Sequence, residues 1–372
     1  MNHRERQFLS GNVAMARGAI AAGCNYYAGY PITPSSGIMT EIAAHFQATG
    51  AGVFAQMEDE IASACSLIGA SWSGARAMTA TSGPGFSLMQ EALGYAYFTE
   101  TPMVVINVQR AGPATGQATR VAQGDIMQFR YGSHGDVFPL VFCPASVADC
   151  FSLTALAFRY SEMLRLPVFI AADESVAQLR ETAYLDVPAP VVPRRAVDDT
   201  PFDADIAGGV PGMPSFGDGA ALLVTGSTHD GHGMRRVDSP EVHERLVVRL
   251  RNKTLLREAE LDQTLLEDMA DAEVAIVAYG ICARSARAAK NALRQSGARV
   301  GLVHLRTLWP FPQQTLQAAC ANTPHVVVAE LNLGQLAAVV QGVLMRPVHA
   351  LSQVNGLPMS PGKIAAFIAE LS

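Results

Sequence analysis

The sequence predicts an α/β protein built from two parallel-sheet units, the second smaller than the first. Three observations carry that prediction. Short apolar runs alternate with helical periodicity through the first half of the chain, the alternation resumes after residue 270, and a tract rich in Pro, Gly and Asp separates the two. Repeated β–α–β units close with right-handed crossovers into a parallel sheet, and sites assemble at the carboxyl ends of its strands.

In order along the chain, GNVAMARGAIAAG reads as a helix stopped by Gly23, the usual glycine terminator. NYYAGY is a short strand, PITPSS a stiff turn, and IMTEIAAHFQATG the next helix. VFAQM (53–57) is a strand; EDEIASACSLIGASWSGA is a helix with three acids in its first turn, where the helix dipole favours them. RAMTATS, an SGPG turn and the helix FSLMQEALGYAYF follow. PMVVINVQR is then the clearest buried strand, ending in Arg110. DVFPLVFCP (136–144) and LPVFIAAD (166–173) extend the sheet around a helix from Ser146 to about Leu164. Residues 1–180 thus form the first unit. Residues 181–268 begin as an extended surface connection, LDVPAPVVPRRAVDDTPFDADIAGGVPGMPSFGDG, and return to helix in SPEVHERLVVRLRNKTLLREAELDQTLLEDM (239–269). The second unit, 269–372, contains AEVAIVAYG (272–280), a helix through Leu293, the strand ARVGLVHLRTLWPF (298–311), a helix from Gln313 to Ala321, and HVVVAELN (325–332).

Composition excludes several classes. Hydrophobic residues make up 49% and charged residues 16%, enough for a large core and a surface covered in part by partners. The net charge is −6, and no basic block is interleaved with aromatics, which argues against nucleic-acid binding. MNHRERQFLSGN lacks an apolar signal core, and runs such as LAAVVQGVLM (336–345) are too short to span a bilayer, so a soluble cytoplasmic protein is expected. None of the six cysteines pairs at C-x-x-C or zinc spacing; reduced, mostly buried thiols with no metal cluster are expected.

Several motifs have both an ordinary and a chemical reading. Glu58, Asp59 and Glu60 suit any solvated helix start, yet they sit among strand ends that also deliver SGPG (82–85) and Arg110. SGPG is equally a plain turn or an anion cradle of free amides; Arg110 is either a rim ion pair or a carboxylate receptor. GDG (217–219) imitates the start of a pyrophosphate-and-metal motif, but it follows coil and has no asparagine before Asn252. His229, Asp230 and His232 are too few for a metal site, which favours a loop-stabilising or interface role. No G-x-G-x-x-G opens a helix after a strand, which disfavours a nucleotide-binding Rossmann module.

GYPITPSS, QMEDEIASACSLIGASWSGARAMTATSGPGFSLMQE, VINVQRAGPATGQAT, QGDIMQFRYGSHGD, TLWPF and ELNLGQL together closely resemble the α subunit of 2-oxoacid:ferredoxin oxidoreductases, nearest the 2-oxoglutarate branch. The similarity runs in order from about Gly11 to Leu371 and includes the STHDGHG loop with its following helix. It implies a pyrimidine-type thiamine diphosphate-binding domain followed by a transketolase C-terminal-like domain. A β subunit would supply the diphosphate and Mg2+ site and an iron–sulfur cluster, coenzyme A would be co-substrate, and ferredoxin or another carrier would take the electrons. A dimer of heterodimers is the implied assembly. Some members carry a γ domain on the same chain; no such segment stands here, so a separate γ subunit, or none, is expected.

The resemblance also assigns roles. Glu60, rather than Glu58 or Asp59, would meet the aminopyrimidine; Tyr30, Pro31, Ile32, Ser82, Gly83 and Pro84 would line the cofactor; Thr33, Arg110 and Thr115 would meet the oxoacid. The arm reads GPATGQAT where the 2-oxoglutarate branch carries GPSTGxPT, so pyruvate, branched-chain or aryl 2-oxoacids are rival substrates. A non-catalytic scaffold is the rival class, against which the intact Thr33, Glu60 and Arg110 argue.

Overall fold

The computed structural model describes residues 6–186, 190, 193–194 and 200–371. Parts of the expected connection and the first five residues of the charged amino terminus lie outside that set.

Among the described residues, eight strands form the larger sheet. Its main path runs Thr307–Trp309, Leu140–Phe142, Pro167–Asp173, Met103–Ala111, Ala77–Thr81, Tyr26–Gly29 and Val53–Gln56, with Gln117–Val121 paired beside Met103–Ala111. The five strands from Pro167–Asp173 to Val53–Gln56 are mutually parallel. Met103–Ala111 shows why a continuous apolar run belongs in the middle. Val104, Ile106 and Val108 pack into the core on one face, Met103 and Val105 into the core on the other, and all are buried. Each such side chain removed from water contributes roughly 1.5–3 kcal/mol.

Helices Gly11–Ala21 and Val147–Leu164 cover one face; Glu60–Trp72 and Gln90–Phe98 cover the other. Their starts are set locally. Ser10 accepts from the Val13 amide, Asp59 from Ala62, Ser146 from Asp149 and Asp173 from Val176, each cap typically contributing about 1 kcal/mol. The smaller sheet runs Leu265–Glu267, Val300–Leu305, Val274–Tyr279, His325–Glu330 and His349–Ser352, parallel except for its first strand.

Several elements differ from expectation. The run 298–311 is two strands: Val300–Leu305 stays in the smaller sheet, while Thr307–Trp309 crosses over to pair antiparallel with Leu140–Phe142. A one-residue break at Arg306 suffices, because the Cys143 amide donates to the Arg306 carbonyl at 2.9 Å. The helix expected over 239–269 ends at Leu255; a short turn, Glu258–Leu261, and the strand Leu265–Glu267 follow. GPATGQATR folds back as the strand Gln117–Val121, antiparallel to Met103–Ala111, so Arg110, the last residue but one of its strand, is paired on that side too. SGPG is not a plain turn: Ser82 directly precedes the helix Gly83–Leu88, without a side-chain capping bond. Arg6–Ser10 and Arg180–Tyr184 form a separate two-stranded ribbon.

Between the units, the described part of the connection packs Phe202 and Met213 on Trp72. Helix Pro240–Leu255 is pinned by charge: the buried Glu100 carboxylate accepts from Arg249 and Lys253, both also buried. Those cations hold the Glu100 carboxyl well below the usual carboxylate range despite its burial. His229 is buried edge-on against Phe98 and Phe202, and Asp230 accepts from the His232 and Met234 amides. Five of the six thiols are buried and Cys65 is exposed. No helix among the described residues is long and apolar enough to cross a membrane.

Candidate active site

Four neighbouring parallel strands send their carboxyl ends to one rim of the larger sheet: Met103–Ala111, Ala77–Thr81, Tyr26–Gly29 and Val53–Gln56. Parallel pairing alone therefore gathers Arg110, the Ser82, Gly83 and Pro84 stretch, the turn after Tyr30, and Glu60.

The turn is held by its carbonyls. The Ile32 carbonyl accepts from the Ser35 amide at 3.0 Å and from the Ser35 and Ser36 hydroxyls at 2.9 and 3.2 Å. The Pro34 carbonyl accepts from Asn12 Nδ2 at 2.9 Å and Gln178 Nε2 at 3.3 Å, and the Thr33 carbonyl from Arg110 Nη1 at 2.7 Å. None of these bonds uses the Thr33 hydroxyl, and Thr33 is exposed. Tyr30 and Pro31 are also exposed, with Ile32 half-buried. The two serines are thus spent inside the turn, and Thr33 is the residue the turn presents.

Of the three acids, only Glu60 is in the helix and only Glu60 is buried, at 4% exposure. Asp59 is spent as the cap, accepting from Ala62 N at 2.7 Å, and Glu58 is exposed ahead of it. The Glu60 carboxyl lies against Gly85, where an added Cβ would stand 2.1 Å from Oε1. Its contact with the Thr81 hydroxyl is long, 3.4 Å. Burial pushes the Glu60 carboxyl up; its own amide and Thr81 pull it back, Asp59 pushes it up, and Arg110 pulls it down. A desolvated carboxyl of this kind can keep or share a proton where an exposed one cannot.

Arg110 is 8% exposed, and its Nε is buried with no hydrogen-bond partner. It lines a cleft of about 620 Å³ with Gly83, Pro84, Asp125, Asn332 and Leu333. Ser82 is fully buried, its hydroxyl donating to the Val108 carbonyl at 2.8 Å, so Gly83 and Pro84 are the part of SGPG that meets the cleft. Thr115 stands exposed on the tip of the arm that follows Arg110. A wider cavity, about 780 Å³, opens at the amino ends of the strands beside Asn25, Arg76 and Asp218. It contains none of the candidate residues, and chemistry rather than size makes the smaller cleft the candidate site.

Sequence reasoning passed over Asp125. Its carboxylate lines the cleft, accepts from Asn107 Nδ2 at 2.9 Å, and is pushed up by burial against that bond. The signal was the QGD of QGDIMQF, which carried resemblance without a role. The buried carboxyl of Glu60 and the orphaned Nε of Arg110 fit an aminopyrimidine cofactor and a carboxylate ligand respectively.

The family described as "Pyruvate flavodoxin/ferredoxin oxidoreductase, thiamine diP-bdg" matches residues 17–249, and "Pyruvate:ferredoxin oxidoreductase core domain II" matches 272–364. The chain is 44% identical over 375 residues to the 2-oxoglutarate synthase subunit KorA of Methanothermobacter thermautotrophicus, covering 99% of each. It is also similar to the 2-oxoglutarate:ferredoxin oxidoreductase of Magnetococcus marinus, a structure with 2-oxoglutarate, coenzyme A and succinyl-CoA bound. The TM-score is 0.94 at 29% identity, over 100% of this chain and 66% of that one. A split-gene transketolase shares the fold alone, with a TM-score of 0.58 at 15% identity over 96% of each chain. The chain belongs to the 2-oxoacid:ferredoxin oxidoreductase family, among its thiamine diphosphate-binding α subunits.

Proposed function

We propose that this chain is the α subunit of a CoA-acylating oxidoreductase that converts 2-oxoglutarate, coenzyme A and an oxidised carrier to succinyl-CoA, CO2 and the reduced carrier. The observation that carries this reading is the shared rim, where a buried carboxyl, an orphaned guanidinium nitrogen and a rigid hydroxyl-bearing turn follow neighbouring parallel strands. Thiamine diphosphate, when bound, supplies the nucleophilic carbon and the electron sink for the acyl group.

This chain's residues do the holding. Glu60, whose carboxyl burial pushes up, shares a proton with the aminopyrimidine nitrogen. Arg110 receives the carboxylate next to the keto group, its Nη1 tied to the Thr33 carbonyl so that the fork keeps one orientation. Thr33 offers its hydroxyl to the keto oxygen, Thr115 meets the oxoacid from the arm, and Gly83 and Pro84 let the cofactor approach the backbone. Tyr30, Pro31 and Ile32 form the rest of the cofactor wall. The exposed apolar side chains of Tyr30, Ile61, Leu88 and Leu333 stand along or near this rim, which supports a partner covering it. That partner is a β subunit with the diphosphate–Mg2+ site and an iron–sulfur cluster that passes electrons to ferredoxin, in a cytoplasmic dimer of heterodimers, with any γ component a separate chain. The division into units at 1–180, 181–268 and 269–372 belongs to the same reading.

The test is to co-express the chain with its partner subunit and follow reduction of an artificial acceptor, with coenzyme A, across a panel of 2-oxoacids. Turnover with 2-oxoglutarate alone is expected. Turnover with pyruvate or a branched-chain or aryl acid instead would move the substrate. Silence from a thiamine-loaded complex with intact clusters would overturn the reading.

A further inference from the structure

Two sequence motifs that the chemistry above leaves unused, QGDIMQF and ELNLGQL, lie 200 residues apart and meet at the cleft. The contact is a dense polar seam. The Gln123 amide donates to the Leu331 carbonyl at 3.0 Å, and the Leu331 amide to Gln123 Oε1 at 3.2 Å. Asn332 Nδ2 donates to the Gln123 carbonyl at 2.7 Å, and Gln335 Nε2 to the Gly124 carbonyl at 2.8 Å. The Met127 amide returns a bond to Gln335 Oε1 at 3.3 Å. Gln123 and Asn332 are both buried. Two residues on from Gln123, Asp125 reaches the cleft that Arg110, Gly124 and Asn332 also line.

Asn332 has a double task. Its Oδ1 accepts from the Gly334 and Gln335 amides, both at 2.9 Å, which shapes the start of helix Gln335–Leu344. Its Nδ2 alone reaches the first unit. The side chain also meets the Glu330 carboxyl, so it serves local loop structure as well as the grip on the cleft wall.

We propose that Asn332 is a positioning residue of the oxoacid site. By holding the Gln123 carbonyl it fixes where Gly124 and Asp125 stand, so the second unit sets the width of a cleft whose ligand groups come from the first. The proposal rests on the oxoacid reading above.

The substitution N332D tests it, because a carboxylate still accepts from Gly334 and Gln335 but faces the Gln123 carbonyl with no donor. In the complex with the partner subunit, KM for the oxoacid should rise about tenfold at pH 8, the scale of one buried hydrogen bond lost, with kcat reduced less than twofold and thiamine diphosphate retention unchanged. Amide exchange at residues 124–127 should quicken at pH 8 by a similar factor, a readout that needs no turnover. Should N332D fail to assemble, Q335E makes the equivalent cut at Gly124. Unchanged exchange or a KM within twofold of wild type would each overturn the proposal. A wild-type complex silent toward every 2-oxoacid would remove the oxoacid reading instead, leaving amide exchange to judge the seam.

Discussion

Alanine at position 85 should disable the site through a single methyl group. A Cβ there would stand 2.1 Å from Glu60 Oε1, 2.3 Å from Thr81 Oγ1 and 2.4 Å from Glu60 Cδ. Ordinary contact begins near 3.4 Å, so something must move by about 1.3 Å. The backbone at this point is pinned, with the Phe86 amide donating to the Ser82 carbonyl at 2.9 Å. The yielding group is therefore the Glu60 carboxyl, whose one side-chain partner is already long. Overpacking of this kind costs about 1–3 kcal/mol of stability. A catalytic group displaced by about 1 Å loses roughly 100-fold in rate, or ~2.7 kcal/mol of barrier. The assay is oxoacid-dependent acceptor reduction by the assembled complex, alongside thermal unfolding. The control is Gly69→Ala in the helix that Glu60 begins; it is exposed, has nothing within 4 Å of its Cβ, and should keep full activity and gain slightly in stability. A folded Gly85→Ala complex with kcat within threefold of wild type would refute the claim that Glu60 must stay where Gly85 leaves it.

Three further outcomes follow from the same geometry. Glu60→Gln should abolish turnover while leaving the complex assembled. Because burial raises the folded-state pKa of Glu60, the unfolded chain releases that proton first, and stability is lost as pH climbs from the unfolded value through the folded one. Glu60→Gln should accordingly melt higher than wild type at pH 7–8 and nearly level with it at pH 4; a melting gap that does not widen with pH would show the carboxyl carries no such strain. Arg110→Lys keeps the charge but cannot serve both the Thr33 carbonyl and a ligand carboxylate, so KM for the oxoacid should rise roughly 10–100-fold in steady-state kinetics. An unchanged KM would remove Arg110 from carboxylate recognition. Glu100→Gln leaves Arg249 and Lys253 buried without their counter-charge and should cost about 3–5 kcal/mol in urea unfolding; a loss under about 1 kcal/mol would mean that water reaches the cluster.

Local chemistry was legible in the residue string. Continuous apolar runs such as MVVINV mark strands buried on both faces, and glycine or a side-chain cap marks where helices stop and start, because these preferences act within a few residues. The order of strands and turns then put Thr33, Glu60, Gly83 and Arg110 at strand ends, and the resemblance named their chemistry. Residue spacing alone left three adjacent acids equivalent, since consecutive side chains fan about 100° apart around a helix and which one points inward depends on what the helix packs against. The tertiary structure decided that: Asp59 turns back to cap Ala62, Glu58 precedes the helix, and Glu60 enters the gap that Gly85 leaves. It also decided the pairings that span the chain. Thr307–Trp309 leaves its own unit for an open edge at Leu140–Phe142, and Asn332 grips Gln123 from across the cleft. Periodicity cannot foretell such contacts, because a strand edge or a lone donor is satisfied by whatever partner the folded chain brings within hydrogen-bond reach.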